Sequence, residues 1–262
     1  MEQVITARKD QIFEIILNNP EKRNAIRIQL LQAVAQAVAT AENTDGIRVI
    51  ILRAEGKNFS AGIDLMSAGG FSELVGENWR DHMHEVTRLY QGAIHRLQQS
   101  FLPTIALLHS FTLGAGLELA LGCDLRIAAD NAIFSLEEAR LGMIPDGGGT
   151  ARLTHLIGAS RAKEFIFTGR RIDASTAEQW GLVNQVVPRD TLLEAGYKLA
   201  GEIAKSAPLA IAAAKRTINA IEDAESGFYL EMLEQAPLFH SEDLAEGLQA
   251  AMERRPANWK SC

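Results

Sequence analysis

A chain of 262 residues with 47% hydrophobic and 23% charged content can form one large domain that removes roughly three quarters of its unfolded surface from water. Its 26 Lys and Arg stand against 33 Asp and Glu, a net charge of −7, with no basic run longer than Arg170-Arg171 or Arg254-Arg255; nucleic acid is excluded as a partner, and an anionic ligand must be met by local cations. Cys123 and Cys262 sit in unlike contexts and suggest no disulfide framework, no apolar run approaches the roughly 18 residues of a membrane span, and Met1–Thr6 has neither secretory nor transit character, so a soluble cytoplasmic protein is expected.

Val4–Arg8 and Ile12–Leu17 alternate around Lys9-Asp10 and predict a two-stranded ribbon. A helix is expected over about Arg27–Ala41, then a strand covered on both faces at Val49–Arg53, then a loop over Gly56–Asp64. Polar and small residues to about Asp81 predict a mobile segment with partial helix. Val86, Leu89, Tyr90, Ala93, Ile94 and Leu97 mark one face of the next helix. Thr104–His109 reads as a buried strand, followed by Gly114–Gly116 and a helix from about Leu117. Beyond Gly169 no long strand is expected. Asp173 is an N-cap, and Pro188 stops a short segment at Val183–Val187. Helices over about Asp190–Ser206, Pro208–Ile221, Ser226–His240 and Ser241–Arg255 complete the chain. The order predicts an α/β fold of stacked mixed sheets with right-handed crossovers and helices outside.

The chemistry is concentrated around three acids. Glu118 follows the Gly114-Ala115-Gly116 turn, Glu138 comes twenty positions later, and Asp146 lies within Ile144-Pro145-Asp146-Gly147-Gly148-Gly149. Bare amides at a helix start favour an oxyanion, and a carboxylate one turn in, with a second acid nearby, supplies the parts for moving protons beside a stabilised enolate.

Lys57–Leu65, Leu113–Ala120, Cys123–Ala128, Phe134–Glu138, Leu141–Leu153 and Glu246-Gly247 with Arg254-Arg255-Pro256 resemble, in order over essentially the whole chain, the crotonase (enoyl-CoA hydratase/isomerase) superfamily. The resemblance implies a crotonase-like spiral of ββα units over 1–195 and a helical C-terminal region over 196–262 that covers the site and makes a homotrimer or dimer of trimers. It implies an acyl-CoA thioester whose carbonyl oxygen lies between the amides of Ile63 and Ala115, with no metal or redox cofactor, coenzyme A being part of the substrate. It also implies CoA contacts from Lys22 and Arg23 near the phosphates and from the Phe59–Ile63 loop near adenine, with Ala61, Gly62, Asp64, Leu65, Gly114 and Gly116 lining the binding loops.

Two activities follow from that resemblance. Glu118 and Glu138 match the two glutamates that grip water in hydratases, so enoyl-CoA hydration is the first expectation. Asp146 matches an aspartate of dienoyl-CoA isomerases, which move a proton between acids matching Glu138 and Asp146, so isomerisation is a close second. Blander readings stand beside these. Glu118 alone would merely favour a helix dipole, Asp146 would cap a helix starting near Gly149, Asp64 would be a structural cap, Glu137 a solvated charge, and Lys22 and Arg23 solvated turn residues. The six histidines read as surface residues. Phe71, Trp79, Leu89 and Phe111 are candidates for an acyl-pocket wall. Asn58–Gly62 falls one residue short of a Gly-x-Ser-x-Gly elbow, which makes a serine hydrolase at Ser60 a remote alternative; a non-catalytic binding protein is another.

Overall fold

The computed structural model describes residues 2–65, 72, 75–206, 208–222 and 239–255. Strands β1 (Val4–Lys9) and β2 (Ile12–Leu17) pair antiparallel around Asp10, from Val4 opposite Leu17 to Lys9 opposite Ile12. β2 is buried along its whole length because β3 (Val49–Ala54) pairs with it in parallel on the other side. β4 (Thr104–Leu108), β6 (Leu125–Ala129) and β9 (Gln185–Val187) continue a six-stranded sheet in the order β1-β2-β3-β4-β6-β9. A second sheet holds β5 (Phe111–Leu113) parallel to β7 (Ile133–Ser135), with the two residues of β8 (Ile172–Asp173) antiparallel to β7.

Chain order explains the two layers. The chain leaves a strand of the large sheet, turns a corner at Ser110 after β4, and enters the small sheet before its helix, giving the ββα repeat. Single bridges between Ser60 and Thr112 and between Ile26 and Ile63 extend the second layer through the Phe59–Asp64 loop. That loop is thereby laid alongside β5 and the start of the following helix.

Both faces of the large sheet are covered, as its near-continuous apolar strands require. In β3, Ile50 and Leu52 face the main core, while Val49 and Ile51 join Ile105, Leu107 and Ile127 under Leu192 and Ala200 of helix α7 (Leu192–Ala204). α1 (Ile28–Glu42) and α2 (Met83–Gln99) pack against each other on the other side. α3 (Ala115–Leu121) is buried throughout; α4 (Gly149–Ile157), α5 (Ala159–Thr168) and α6 (Ala174–Trp180) follow, and α8 (Pro208–Glu222) and α9 (Glu242–Glu253) come after α7.

The boundaries differ from expectation by one or two residues in most elements. α3 opens at Ala115 rather than Leu117, because Gly114 already holds the N-cap position and its carbonyl accepts from the Glu118 amide. Asp173 caps α6 as expected, accepting from the Thr176 amide at 2.8 Å. The surface reading fails for His109. It is buried, its Nε2 lies 3.1 Å from the Gly56 carbonyl, and burial lowers its pKa to about 4. The helix expected at 226–240 lies outside the described residues except for 239 and 240, as does most of the polar segment before Trp79. Among the described residues no helix is long and apolar enough to cross a membrane.

Candidate active site

Two glycine turns meet at the site. Gly62 has φ 92° and Gly114 has φ 49° with ψ −130°, backbone conformations that side chains with a Cβ rarely adopt. A Cβ on Gly62 would come within 3.1 Å of the Leu113 carbonyl oxygen and 3.8 Å of the Gly114 Cα, so the turns touch only because both are bare. The amides that follow, Ile63 and Ala115, are therefore neighbours. Ile26 bonds to the carbonyl of Gly62 at 2.8 Å and to the amide of Asp64 at 2.9 Å, which turns the intervening Ile63 N–H to the opposite side. Ala115 is the first residue of α3 and has no intrahelical acceptor.

Asn24 staples this loop from beneath. It is fully buried, donates to the carbonyls of Glu55 and Asn58, and accepts from the Asn19 amide. Ser60 completes the staple: its hydroxyl donates to the Asn24 carbonyl at 2.8 Å and accepts from the Gly62 amide at 3.2 Å. Buried and committed to two backbone groups, it is not a poised nucleophile. Asn24 was missed in the sequence because nothing in its spacing distinguishes it from an ordinary turn asparagine.

The three acids converge on the same turns. Glu118, one turn into α3 and buried, accepts from the amides of Gly147 and Gly149 with Oε1, both at 2.9 Å. Those amides come from the turn that carries Asp146, so Glu118 and Asp146 are bound to one short segment. Glu138 begins a 3-10 turn, Glu138–Leu141, and its Oε1 would lie 2.9 Å from a Cβ on Gly114. Its Oε2 is buried without a hydrogen-bond partner. Burial first, then the charges of Asp146 and Glu137, push the Glu138 pKa up to about 8. Asp146 is raised to about 6 by burial, opposed by a 2.7 Å hydrogen bond that its Oδ2 accepts from the Thr87 hydroxyl.

The capping role considered for Asp146 is not what the side chain does: α4 starts at Gly149 with no side-chain cap, and Asp146 faces α2 instead. Gln91 of α2 donates to its carbonyl at 2.8 Å. Glu137 pairs with Arg171 at 2.7 Å and accepts from Ser135, so it belongs to a surface cluster rather than to bulk solvent. Thr87, Tyr90 and Gln91 were not recognised as site residues. Thr87 left one trace, a polar residue on the buried stripe of α2 between Met83 and Tyr90.

Arg23 follows the 3-10 turn Pro20–Lys22, and its carbonyl accepts from the Ala61 amide at 3.0 Å, which sets exposed Lys22 and Arg23 beside the Phe59–Ile63 loop. Asp64 pairs with Arg27 at 3.7 Å, in keeping with a structural role, and Leu65 is exposed at the end of the loop. Trp79 meets Phe239 edge to face, Leu89 is exposed, Phe111 lies under Arg171, and Phe71 is outside the described residues. A cavity of about 550 Å³ opens elsewhere, lined by His95, Arg126, Arg152 and Lys215, and does not include the acids. Arg152 connects the two regions: it donates to Gln98 through Nε and Nη2 and to the Gly147 carbonyl through Nη1.

Residues 7–262 match the family described as Enoyl-CoA hydratase/isomerase. The chain belongs to that family. It is 33% identical over 256 residues to the mitochondrial Delta(3,5)-Delta(2,4)-dienoyl-CoA isomerase of Dictyostelium discoideum, covering 95% of this chain and 87% of the relative. It is 34% identical over 262 residues to the 2,3-dehydroadipyl-CoA hydratase of Escherichia coli, covering 99% of each. A crystal structure of carnitinyl-CoA hydratase from Mycobacterium avium superimposes with a TM-score of 0.87 at 31% identity over the full length of both chains. The ββα spiral is thus the crotonase fold, and the chain is an enzyme of the hydratase/isomerase family. Relatives of comparable identity carry both kinds of name.

Proposed function

We propose that this family member hydrates 2-enoyl-CoA thioesters, with Glu138 as the acid and Glu118 as the base. One observation carries the reading. Glu138 lies against Gly114 with a buried, unpartnered Oε2 and a pKa pushed up to about 8, so near pH 7 it holds a proton beside the amide of Ala115. With the thioester oxygen between the amides of Ile63 and Ala115, the acid is next to the α carbon, where hydration requires a proton. Glu118, with Oε1 anchored by two amides, is fixed on the other side to take a proton from water as it attacks the β carbon. Negative charge collects on the thioester oxygen meanwhile, and each amide donor there is typically worth about 3 kcal/mol.

Lys22 and Arg23 would meet the CoA phosphates, and the protein would work as a homotrimer or dimer of trimers in the cytoplasm. Double-bond isomerisation of a dienoyl-CoA is the second reading, favoured by Asp146: a buried carboxyl raised to about 6, bearing on Glu138, is a second proton carrier. Turnover of crotonyl-CoA and of a 3,5-dienoyl-CoA, followed by absorbance and product mass, tests both. A gain of one water on crotonyl-CoA supports hydration; a conjugated product of unchanged mass, without that gain, moves the chemistry to Glu138 and Asp146. Asp146→Asn sharpens the comparison. Loss of two or more orders of magnitude on a dienoyl substrate is expected if Asp146 carries the proton, against less than about tenfold at pH 7 for hydration.

A further inference from the structure

Asp146 has no proton to transfer in the hydration chemistry, yet its carboxylate is held by a side-chain donor where Glu138 Oε2 has none. Helix α2 places Thr87, Tyr90 and Gln91 at i, i+3 and i+4, so all three lie on the side facing the Pro145–Gly149 turn. The Thr87 hydroxyl, on a residue only 2% exposed, donates to Asp146 Oδ2 at 2.7 Å, and the Gln91 amide donates to the Asp146 carbonyl at 2.8 Å. Glu138 is treated oppositely: its Oε2 is just as secluded and receives no donor. Of the two buried carboxyls, Asp146 has a side-chain hydroxyl suited to its anion, whereas the Glu138 anion is favoured by its own backbone amide and by no side-chain hydroxyl.

We propose that Thr87 is a positioning residue, and that with Asp146 it forms a fixed negative charge which keeps the proton on Glu138. This rests on the reading of Glu138 as the acid. A buried carboxylate opposes ionisation of a second one nearby, and a donor that satisfies the first decides which of the two gives up its proton first. The other groups around Asp146 do not take that role. Tyr90, on the same helix, is driven toward its neutral form by burial and by Asp146 itself. Glu118, from α3, is engaged by the amides of Gly147 and Gly149, and Arg27 is engaged with Asp64. Arg152 meets the same turn at the Gly147 carbonyl. The Asp146 reading thus unites with the hydratase reading: the acid can serve hydration by its charge rather than by a proton.

The test is a ¹³C-carboxyl NMR titration of the substrate-free protein, with signals assigned through Glu138→Gln and Asp146→Asn. Asp146→Asn is expected to lower the Glu138 midpoint by about one pH unit. Thr87→Val, which keeps the β-branched shape and removes the hydroxyl, is expected to raise the Asp146 midpoint by about one unit, the order expected for one hydrogen bond to a charged group. Thr87→Ser should leave both midpoints as in the wild type, and Thr87→Ala replaces the valine variant if that one does not fold by circular dichroism. In turnover, the alkaline limb of the hydration pH profile should move acidward in Asp146→Asn with little change in KM. An unmoved Glu138 midpoint in Asp146→Asn, or an Asp146 midpoint insensitive to the loss of the Thr87 hydroxyl, overturns the proposal. Because the titration is read without substrate, it decides the proposal whether or not crotonyl-CoA is hydrated.

Discussion

Glu138→Gln should make the protein comparatively more stable as the pH rises while disabling it. In the native state Glu138 keeps its proton to about pH 8, whereas an unfolded chain releases it near 4.5. Between those values the native state binds more protons than the unfolded state, so stability falls as pH rises through the window and stays lowered above it. At about 1.4 kcal/mol per unit, ionising this group costs the folded protein a few kcal/mol by pH 9. Glutamine never ionises and escapes that loss. It does leave an amide where Oε2 has no partner, a penalty of about 1–3 kcal/mol that is the same at every pH. The readout is therefore the difference between wild-type and variant melting temperatures measured at pH 5 and at pH 9. With roughly 2–4 °C per kcal/mol for a chain of this size, and about 4 kcal/mol between pH 5 and pH 9, the difference should move in favour of the variant by roughly 8–16 °C. Turnover should fall about 10²- to 10⁴-fold with acyl-CoA binding retained. Parallel melting curves across that range would show that Glu138 titrates normally, and turnover within a few fold of wild type would remove it from the chemistry.

Gly114→Ala is expected to cost about 1–3 kcal/mol of stability from the backbone alone, because φ 49° with ψ −130° is held only by glycine without strain. Its methyl would also press on Glu138 Oε1 at 2.9 Å and move the Ala115 amide, lowering turnover about 100-fold; unaltered kcat in a folded variant would place the thioester oxygen elsewhere. Arg152→Met removes the guanidinium that ties Gln98 to the Gly147 carbonyl, with an expected loss of about 2–4 kcal/mol by denaturant titration. The turn that binds Glu118 loosens with it, so kcat should drop at least about tenfold; a stability loss at full kcat would show that Arg152 does not position that turn.

The fold was legible where the pattern of apolar residues left a single arrangement. Val49–Arg53 and Thr104–His109 are too evenly apolar for a half-exposed strand, and each proved to be buried between two layers. The Gly114 turn and the acids at 118, 138 and 146 were legible too, because small residues beside carboxylates are unusual enough to be read locally. The surroundings of Asp146 were not. α2 supplies a hydroxyl from Thr87 and an amide from Gln91 to this residue more than fifty positions away, and no local pattern announces a bond of that range. The same reason hid Asn24 and Arg152, which act through backbone carbonyls rather than through a spacing. His109 shows the converse error: grouped with the other histidines as a surface residue, it directly follows the buried strand β4 and meets the Gly56 carbonyl. In the proposed chemistry, whether a carboxyl accepts, donates or merely holds charge follows from which of its oxygens receive donors. The amides of Gly147 and Gly149 meet Glu118 Oε1, the Thr87 hydroxyl meets Asp146 Oδ2 and Glu138 Oε2 has no partner, and those differences distinguish three acids whose side-chain chemistry is otherwise nearly the same.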